Sequence, residues 1–576
     1  MDINNNKTEL MQQKPLRLWP GVVIVVLMLL FRIVIPYFVP SDPLIQIGML
    51  AGFLGGVLIF VWWAFFSRAA RFERFGGGIL MIAALVTTSF FLHESISTSM
   101  MGLMFIFYSL PLLSFAFVLW AVLTRNLSTG TRRATMVATI LLASGLWMLL
   151  RTEGMDGSAR NDFAWRWTKT AEERFLAQAK DDSVVTESKT AEKIKADWPG
   201  FRGANRDSII TGVKIETDWA KKPPVELWRR PVGPGCSSFA IKDNLFYTQE
   251  QLGEEEVVSC YELLTGKPVW SQKYKARFWD SHAGAGPRST PTLANGRVYT
   301  LGGTGILNVL DAGKGTVIWS RNAAEDAGVK ALRWGFSSSP LVDGDIVIVA
   351  LTGKLAAYDK ATGKPLWFGT DGKNSYSSPH LLTIDGVSQV LLMSQTGAIS
   401  VEPKIGKQLW KYDWVMEDRI LQPAVITGGE LLLTEETKGV RRISVSRSKG
   451  EWGVKEIWTS GEMKLNFNDF IIHKGFAYGF DGPALACIDV KDGKRKWKGK
   501  PYRGWLLLLA DQDVLLVLSE QGEMAVVEAT PEKFIELGRF PAIKGKTWNH
   551  PAFAGGVFLA RNSQEMAAFR LSISGK

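Results

Sequence analysis

The chain has 576 residues, of which 46% are hydrophobic and 21% charged, a balance that excludes disordered, collagen-like and acidic low-complexity chains. Three cysteines, Cys236, Cys260 and Cys487, are too few for a disulfide scaffold and too scattered for a zinc knuckle, and five histidines without a His-x-x-x-His pair leave little for a zinc enzyme. The net charge of +11 points to a membrane rather than to nucleic acid, because the 11 Lys and Arg of residues 1–156 sit mostly between apolar runs.

Those runs are Leu18–Val39, Ile45–Phe66, Gly78–Leu92, Met100–Leu123 and Ala134–Leu150. A helix needs about 20 apolar residues to cross the hydrocarbon core; the first, second and fourth runs meet that length, the fifth is borderline and the third is short. Several long runs also exclude a lone signal peptide. Positive charge alternates between the connections. Lys7, Lys14 and Arg17 precede the first run, Arg68, Arg71 and Arg74 follow the second, and Arg125, Arg132 and Arg133 follow the fourth, while the first and third connections have no Lys or Arg. The positive-inside rule then predicts five spans, with the N-terminus in the cytoplasm and everything after the fifth span outside. Arg32 lies inside the first run near its outer end, where its side chain can snorkel to the interface. His93 and Glu94 mark the end of the third.

Residues 157–197 are polar. DFAWRWTKTAEERFLAQAK within them reads as a short amphipathic helix, with Thr170 and Glu173 spaced as a capping box. A flexible linker follows.

From Trp198 the chain repeats itself. A strand, a turn of the type Asp-x-x-Thr-Gly-Lys and a hydrophobic pair ending in Trp recur as YELLTGKPVW (Tyr261–Trp270), LDAGKGTVIW (Leu310–Trp319), YDKATGKPLW (Tyr358–Trp367), VEPKIGKQLW (Val401–Trp410) and IDVKDGKRKW (Ile488–Trp497), with degenerate copies at Trp458 and near Leu537. Spacings of 39 to 49 residues suit four short antiparallel strands per unit, hence a β-propeller. The strand of Trp228 has no preceding turn, so it is expected to complete the last unit and close a ring of eight blades. The fold class is an all-β eight-bladed β-propeller over residues 198–576, preceded by an all-α bundle of five transmembrane helices over residues 1–156. In the repeat, Gly supplies a positive φ and Trp packs between blades.

These repeats resemble the pyrroloquinoline-quinone (PQQ)-type propeller repeat shared by quinoprotein dehydrogenases and the lipoprotein of the outer-membrane β-barrel assembly machinery. WPGFRGANRDS (Trp198–Ser208), GPRSTPTLANGRVYTLG (Gly286–Gly302), WGFSSSPLVDGD (Trp334–Asp345) and WRWTKTAEERFLA (Trp165–Ala177) are similar to a large bacterial family of PQQ-binding-like β-propeller proteins. The layout also resembles membrane-bound quinoprotein glucose dehydrogenases, in which five N-terminal helices near ubiquinone carry a propeller holding PQQ and calcium. This chain departs from them in its propeller of only about 375 residues and in lacking the vicinal cysteines of the soluble alcohol-oxidising relatives.

The residues that open each innermost strand are expected to ring the axis. Read from the preceding glycine or its equivalent, they begin at Gly235, Gly286, Gly335, Ser375, Arg419, Asn466, Tyr502 and Thr547. The ring is rich in hydroxyls, amides and aromatics, which marks it as a candidate ligand site: Arg288, Ser289, Trp334, Ser337, Tyr376, Ser378, Asn466, Trp505, Trp548 and Asn549. The ring has cations at Arg288, Arg419 and Arg503; for PQQ, Trp505 or Trp548 would stack and Arg288 would pair with a carboxylate. Calcium would draw on Asp469 and Asn468, with Asn466, Asn549 and Asp280 as further donors, and Asp469 or Asp280 would serve as a general base. The same residues have a plainer use, since Ser-Ser-Pro and Ser-Thr-Pro satisfy backbone groups at strand starts. Phe201, Arg202, Gly203, Arg206 and Asp207 are expected to clamp the lead-in segment onto a propeller face.

No nucleophile elbow, Walker loop or His-Glu-x-x-His is present. Two functions remain. One is a non-catalytic propeller in the bacterial inner membrane that binds a periplasmic protein, peptide or saccharide. The other is a PQQ-dependent dehydrogenase that oxidises an alcohol or sugar and passes electrons to membrane quinone.

Overall fold

The computed structural model describes residues 16–38, 42–157, 160–179, 195–416, 421–465 and 467–574. The chain divides into two compact units, Met1–Thr168 and Lys169–Lys576.

The first unit is helical. Its helices run Trp19–Leu29, continued through a π-turn to Phe38; Asp42–Val61, continued through a second π-turn to Phe66; Arg71–Ser89; Met104–Leu123; and Thr129–Gly145. Five helices therefore stand where five apolar runs were read. Among the described residues, three of them, Trp19–Phe38, Leu44–Phe66 and Met104–Leu123, are long and apolar enough to cross a membrane. The other two are diluted by polar residues: Arg71, Glu73 and Arg74 open one, and Arg132 and Arg133 open the other. Glu73, 2% exposed, lies 3.5 Å from Arg132 and 3.8 Å from Arg133. Trp62, Trp63, Phe117 and Trp120 fill the core, with Trp63 edge-on to Phe117 at 4.8 Å.

The amphipathic helix is shorter than expected. Asn161–Trp165 is instead a strand, paired antiparallel with Leu150–Met155 in the first unit, and only Ala171–Ala179 is helical. The alternation Asn-Asp-Phe-Ala-Trp suits a two-sided strand better than a helical stripe. The capping box is present as read: Glu173 N donates to Thr170 Oγ1 (3.0 Å) and Thr170 N to the Glu173 carboxylate (2.7 Å).

The second unit is an eight-bladed propeller. The innermost strands are Ala240–Lys242, Thr292–Ala294, Leu341–Asp343, His380–Ile384, Ala424–Thr427, Ile471–His473, Trp505–Leu509 and Ala552–Ala554, which define blades 1 to 8. Val225–Pro231 pairs antiparallel with Glu565–Arg570 and supplies the outer strand of blade 8, so the two ends of the ring close one blade. Blades 1 and 7 each gain a fifth, innermost strand: Asp197–Trp198 lies against Ala240–Lys242, and Ile209–Ile210 runs parallel to Trp505–Leu509.

The repeat motif is an inter-blade joint. Each Trp donates its indole N–H to a carbonyl in the next blade's turn: Trp228 to Leu263, Trp270 to Ala312, Trp319 to Lys360, Trp367 to Pro403 and Trp458 to Val490, at 2.8 to 3.2 Å. The turn glycine beneath it has positive φ (65° at Gly266, 71° at Gly363), and a Cβ there would come within 2.6 Å of the indole. Trp410 is the exception. Blade 5 carries a long hairpin, Gly439–Ser448 with Glu451–Ser460, in place of that turn, and Trp410 donates back to Gln389 Oε1 at 2.6 Å.

Candidate functional site

Three consecutive residues precede or open each innermost strand, and successive residues of an extended chain point to opposite sides. The triplets are Cys236-Ser237-Ser238, Arg288-Ser289-Thr290, Ser337-Ser338-Ser339, Tyr376-Ser377-Ser378, a fifth ending in Leu421-Gln422, Phe467-Asn468-Asp469, Arg503-Gly504-Trp505 and Trp548-Asn549-His550. The sequence alignment was one residue out of step in blades 2 and 3, where Thr290 and Ser339 rather than Ser289 and Ser338 take the third place. A following proline marks the true register in five blades, at Pro291, Pro340, Pro379, Pro423 and Pro551. Arg419 and Asn466 lie outside the described residues.

The third residues build a closed girdle. Ser238 N donates to Thr290 Oγ1 (3.2 Å), Thr290 N to Ser339 Oγ (3.0 Å), and Ser339 N to Ser378 Oγ (2.9 Å). Ser378 N donates to the Gln422 amide, set with its oxygen towards it (2.8 Å), and Gln422 N donates to Asp469 Oδ1 (2.9 Å). The ring continues through Asn468 Nδ2 to Gly504 O (2.5 Å), Trp505 Nε1 to Trp548 O (2.8 Å) and Asn549 Nδ2 to Gly235 O (3.0 Å). Every blade is thereby tied to the next, and Ser238 Oγ returns to His550 O (2.5 Å). Second residues serve their own sheets or a neighbouring blade: Ser289 Oγ donates to Leu301 O (2.5 Å), and Ser377 Oγ to Leu421 O (2.5 Å). Buried donors and acceptors paired around a ring rigidify a structure.

One side of the girdle is filled by the lead-in segment. Trp198 pairs with Ile241 of blade 1, and Pro199 O accepts from Leu293 N of blade 2. Arg206 reaches the carbonyls of Ser339 and Pro340 in blade 3 and Pro379 in blade 4. Arg202 donates to Phe470 O of blade 6 (3.0 Å) and faces Asp469 at 3.5 Å. Ser208 O accepts from Leu508 N of blade 7, and Ser208 Oγ meets His550 Nε2 of blade 8 (3.1 Å). Contacts with seven blades, all but the fifth among the described residues, require the segment to cross the axis, so the expected clamp is also a plug over one side of the ring. Burial presses the Arg206 guanidinium down to about 10, and His550 and His380 down to about 3. Arg202, Arg206 and Ser208 all take the left-handed backbone conformation, with φ between 56° and 62°.

The other side of the girdle is a mouth formed by the first residues and their loops. Arg288 pairs with Asp280 at 2.5 Å and sits 5.2 Å over Phe278. Both Asp280 oxygens are engaged, since Oδ1 also accepts from His282 N (2.7 Å) and Ala283 N (2.9 Å). Lys546 lies 4.3 Å over Trp548 and donates to His282 O at 2.6 Å, bridging blades 8 and 2. Trp548 also meets Phe467 at 5.7 Å and donates to Glu520 (2.6 Å), while Trp334 packs on Tyr376 at 5.0 Å. Burial lowers the pKa of both Lys546 and His282. Cys236, His282, Trp334, Ser337, Phe467, Lys546 and Trp548 remain half-exposed.

The structure thus brings Arg288, Trp334, Ser337, Tyr376, Trp548 and Asp280 together at the mouth. It assigns Ser378, Trp505, Asn549, Asn468 and Asp469 to the girdle and Ser289 to its own sheet. Lys546, His282, Phe467 and Glu520 belong to the mouth and were not read from the sequence; Lys546, two residues before Trp548, carried the only sequence signal. These donors do not fit calcium. Burial raises the pKa of Asp469, which is held by Gln422 N and Arg202; Asn468 donates Nδ2 to Gly504 and keeps a buried Oδ1 without a donor, one oxygen where calcium takes about six to eight; and among the described residues no group of three or more His, Cys, Asp or Glu is set to hold a metal. PQQ fits poorly too: Arg288 and Arg503 face Asp280 and Glu520 (3.7 Å for the latter), and Trp505 is only 8% exposed.

A family model described as outer membrane protein assembly factor BamB matches residues 225–378. A quinohemoprotein alcohol dehydrogenase, ADH-IIG of Pseudomonas putida, is 28% identical over 159 residues, covering 24% of this chain and 21% of the enzyme, so the match spans about a fifth of that curated relative. Among solved structures, BamB from Moraxella catarrhalis is 14% identical with a TM-score of 0.45, covering 60% of this chain and 98% of its own. Quinohemoprotein alcohol dehydrogenase from Comamonas testosteroni is 14% identical with a TM-score of 0.46, covering 65% and 80%. The chain is an eight-bladed propeller of PQQ-like, quinoprotein-like repeats preceded by apolar helices.

Proposed function

We propose that the chain anchors by five spans in a bacterial cytoplasmic membrane, N-terminus inside, and presents a propeller outside it whose axial mouth binds a protein, peptide or saccharide without transforming it. The observation that carries this reading is how the axis is used. The carboxylates that a metal and quinone would require are bonded into the girdle, the plug and the Asp280–Arg288 pair, which leaves Asn468 Oδ1 as a lone buried oxygen beside them. What stays half-exposed is a rim of aromatics and cations, Trp334, Phe467, Trp548 and Lys546, which is the composition of a recognition surface. The alternation of Lys and Arg between the apolar runs supports the orientation.

The second reading, a PQQ-dependent dehydrogenase, is favoured by the stretch of 28% identity to ADH-IIG. Equilibrium titration of the detergent-purified chain with PQQ and calcium, followed by fluorescence quenching, separates the two. The binding-module reading expects no saturable quenching at tens of micromolar PQQ. Saturable quenching that Arg288→Ala abolishes would overturn it. A photo-crosslinking residue at Ser337 should yield a discrete adduct in cells, while one on the outer strand at Val269 should not.

A further inference from the structure

The helical unit contains an arginine whose setting is built rather than incidental. Arg32 falls in the π-turn Leu30–Val34 of the first membrane-length helix, and π-turns inside helices concentrate at functional places. Two glycines of the next helix make room for it. A Cβ on Gly48 would come 2.6 Å from Phe31 O, and one on Gly52 would meet Pro111 Cγ at 3.1 Å and Arg32 Cδ at 3.7 Å. The guanidinium ends 4.8 Å from the centre of the Tyr108 ring. Among the described residues no carboxylate is in ion-pair distance of it, and the group it faces is the Tyr108 ring.

Around Tyr108 stand polar atoms that have no partner. Asn161 donates Nδ2 to Tyr108 Oη at 2.7 Å, which leaves its Oδ1 buried without a donor. Trp147, 4% exposed and 6.3 Å from Tyr108 between ring centres, has its Nε1 buried without an acceptor. Ser109 Oγ, beside Tyr108 in the chain, is likewise buried and unpaired. Buried polar groups are normally paired, so unpaired atoms on Asn161 and Trp147, both against the Tyr108 ring that Arg32 covers, describe a place shaped for something else. Arg32 is six residues from the end of its helix and Tyr108 four from the start of its own. At about 1.5 Å per residue both lie some 6–9 Å inside the helix ends, the depth at which head groups meet acyl chains.

We infer that Arg32, Tyr108, Trp147 and Asn161 hold the head group of an anionic phospholipid, with Arg32 and the Trp147 N–H on phosphodiester oxygens and Asn161 Oδ1 accepting from a head-group hydroxyl. The inference rests on the membrane reading of the helical unit and is independent of what the propeller binds. A cation over an aromatic face, a free N–H and a free carbonyl oxygen together match a phosphodiester that carries hydroxyls better than a zwitterionic or hydroxyl-free one.

The test is native mass spectrometry of the delipidated full chain in non-ionic detergent, titrated separately with phosphatidylglycerol, phosphatidylethanol (same charge, no hydroxyls), phosphatidylcholine and soluble glycerol 3-phosphate. Phosphatidylglycerol is expected to bind at least tenfold more tightly than the others. Arg32→Gln should remove that tenfold and Arg32→Lys restore part of it. Asn161→Leu should leave phosphatidylethanol binding unchanged and erase the preference for phosphatidylglycerol, which keeps the idea testable where Arg32→Gln does not fold. Equal binding of phosphatidylglycerol by the wild type and Arg32→Gln would overturn it, and so would equal binding of the two anionic lipids by the wild type. Glycerol 3-phosphate binding as tightly as the lipid would overturn the lipid source in favour of a soluble phosphate ester.

Discussion

Arg206 is the side chain on which the plug can be tested most directly. Its guanidinium is buried, makes no ion pair among the described residues, and donates to the carbonyls of Ser339, Pro340 and Pro379. Hydrogen bonds from a charged donor contribute about 1.5–3 kcal/mol each, so the three contribute about 6 kcal/mol. Against this stands the cost of burying the charge. A pKa pressed from 12.5 to about 10 corresponds to about 3 kcal/mol at 1.36 kcal/mol per unit. Arg206→Met keeps the stem, loses the bonds and regains the burial cost, so it should destabilise the propeller by about 3 kcal/mol. Arg206→Lys keeps the charge buried, yet a single ammonium cannot span carbonyls from two blades as a planar fork does. Lysine should therefore be worse than methionine, the reverse of the ordering that charge conservation predicts. Chemical unfolding of the full chain in detergent, followed by tryptophan fluorescence and by proteolysis near residues 195–212, reads both variants. A lysine variant as stable as the wild type, or a methionine variant that costs nothing, would refute the account of the plug.

Gly363→Ala should cost about 2–4 kcal/mol, because alanine must adopt φ 71° and its Cβ would lie 2.6 Å from Trp319 Cδ2; the denaturant midpoint measures it. Acid should destabilise the propeller through His380 and His550. Both are pressed from 6.5 to about 3, so as pH falls below 6.5 the unfolded chain takes up protons that the folded one refuses. The stability they contribute is complete above pH 6.5 and lost towards pH 3. Replacing His550 with Gln should flatten that slope by about 1.36 kcal/mol per pH unit, as read from unfolding midpoints at pH 4, 5 and 6. Glu536, lowered to about 2 through Arg539 and Tyr502 against its burial, adds stability above pH 4.5 that is lost as pH falls towards 2, and Glu536→Gln should remove that part of the acid limb.

The fold was readable because its repeats carry their own joints. A turn glycine that must take positive φ and a Trp that must reach the next turn are constraints on residue type, so they survive in the sequence even where strands diverge. Closure by the strand of Trp228 followed from a motif present without its turn. The span count was harder to read, because Arg71–Ser89 and Thr129–Gly145 form helices where apolar runs stood yet carry charge into their first turns. The axis was legible in composition and not in geometry. Ser289, Ser338 and Ser377 look like Thr290, Ser339 and Ser378, and only alternation along the strand separates those that hold a sheet from those that hold the ring. The following proline was the usable marker, because the residue before it is confined to extended backbone. The lead-in segment was legible as a clamp through Arg202 and Arg206, but its partners were not, because these side chains bond to backbone carbonyls, which every sequence possesses.

The same alternation decides where a ligand can act. A third residue that accepts a hydrogen bond from the neighbouring blade cannot also turn to a ligand without opening a joint of the ring, and Asp469 would in addition have to release Arg202 and with it the plug. First residues carry fewer such bonds, among them Ser337 Oγ to Tyr376 O (2.8 Å) between blades 3 and 4 and the Arg288–Asp280 pair. They stand one position nearer the solvent, and across the eight blades they differ widely in chemistry, running through thiol, guanidinium, hydroxyl, phenol and indole at Cys236, Arg288, Ser337, Tyr376 and Trp548. Thr, Ser, Gln and Asp side chains hold the joints from blade 1 to blade 6 and Asn468, Trp505 and Asn549 the remaining three, while the first residues are more varied. On the proposed binding reading, specificity is expected to change by substitution at the half-exposed first residues Cys236 and Trp548 with little change in unfolding midpoint, whereas loss of Arg288 would strand the buried Asp280 and lower that midpoint.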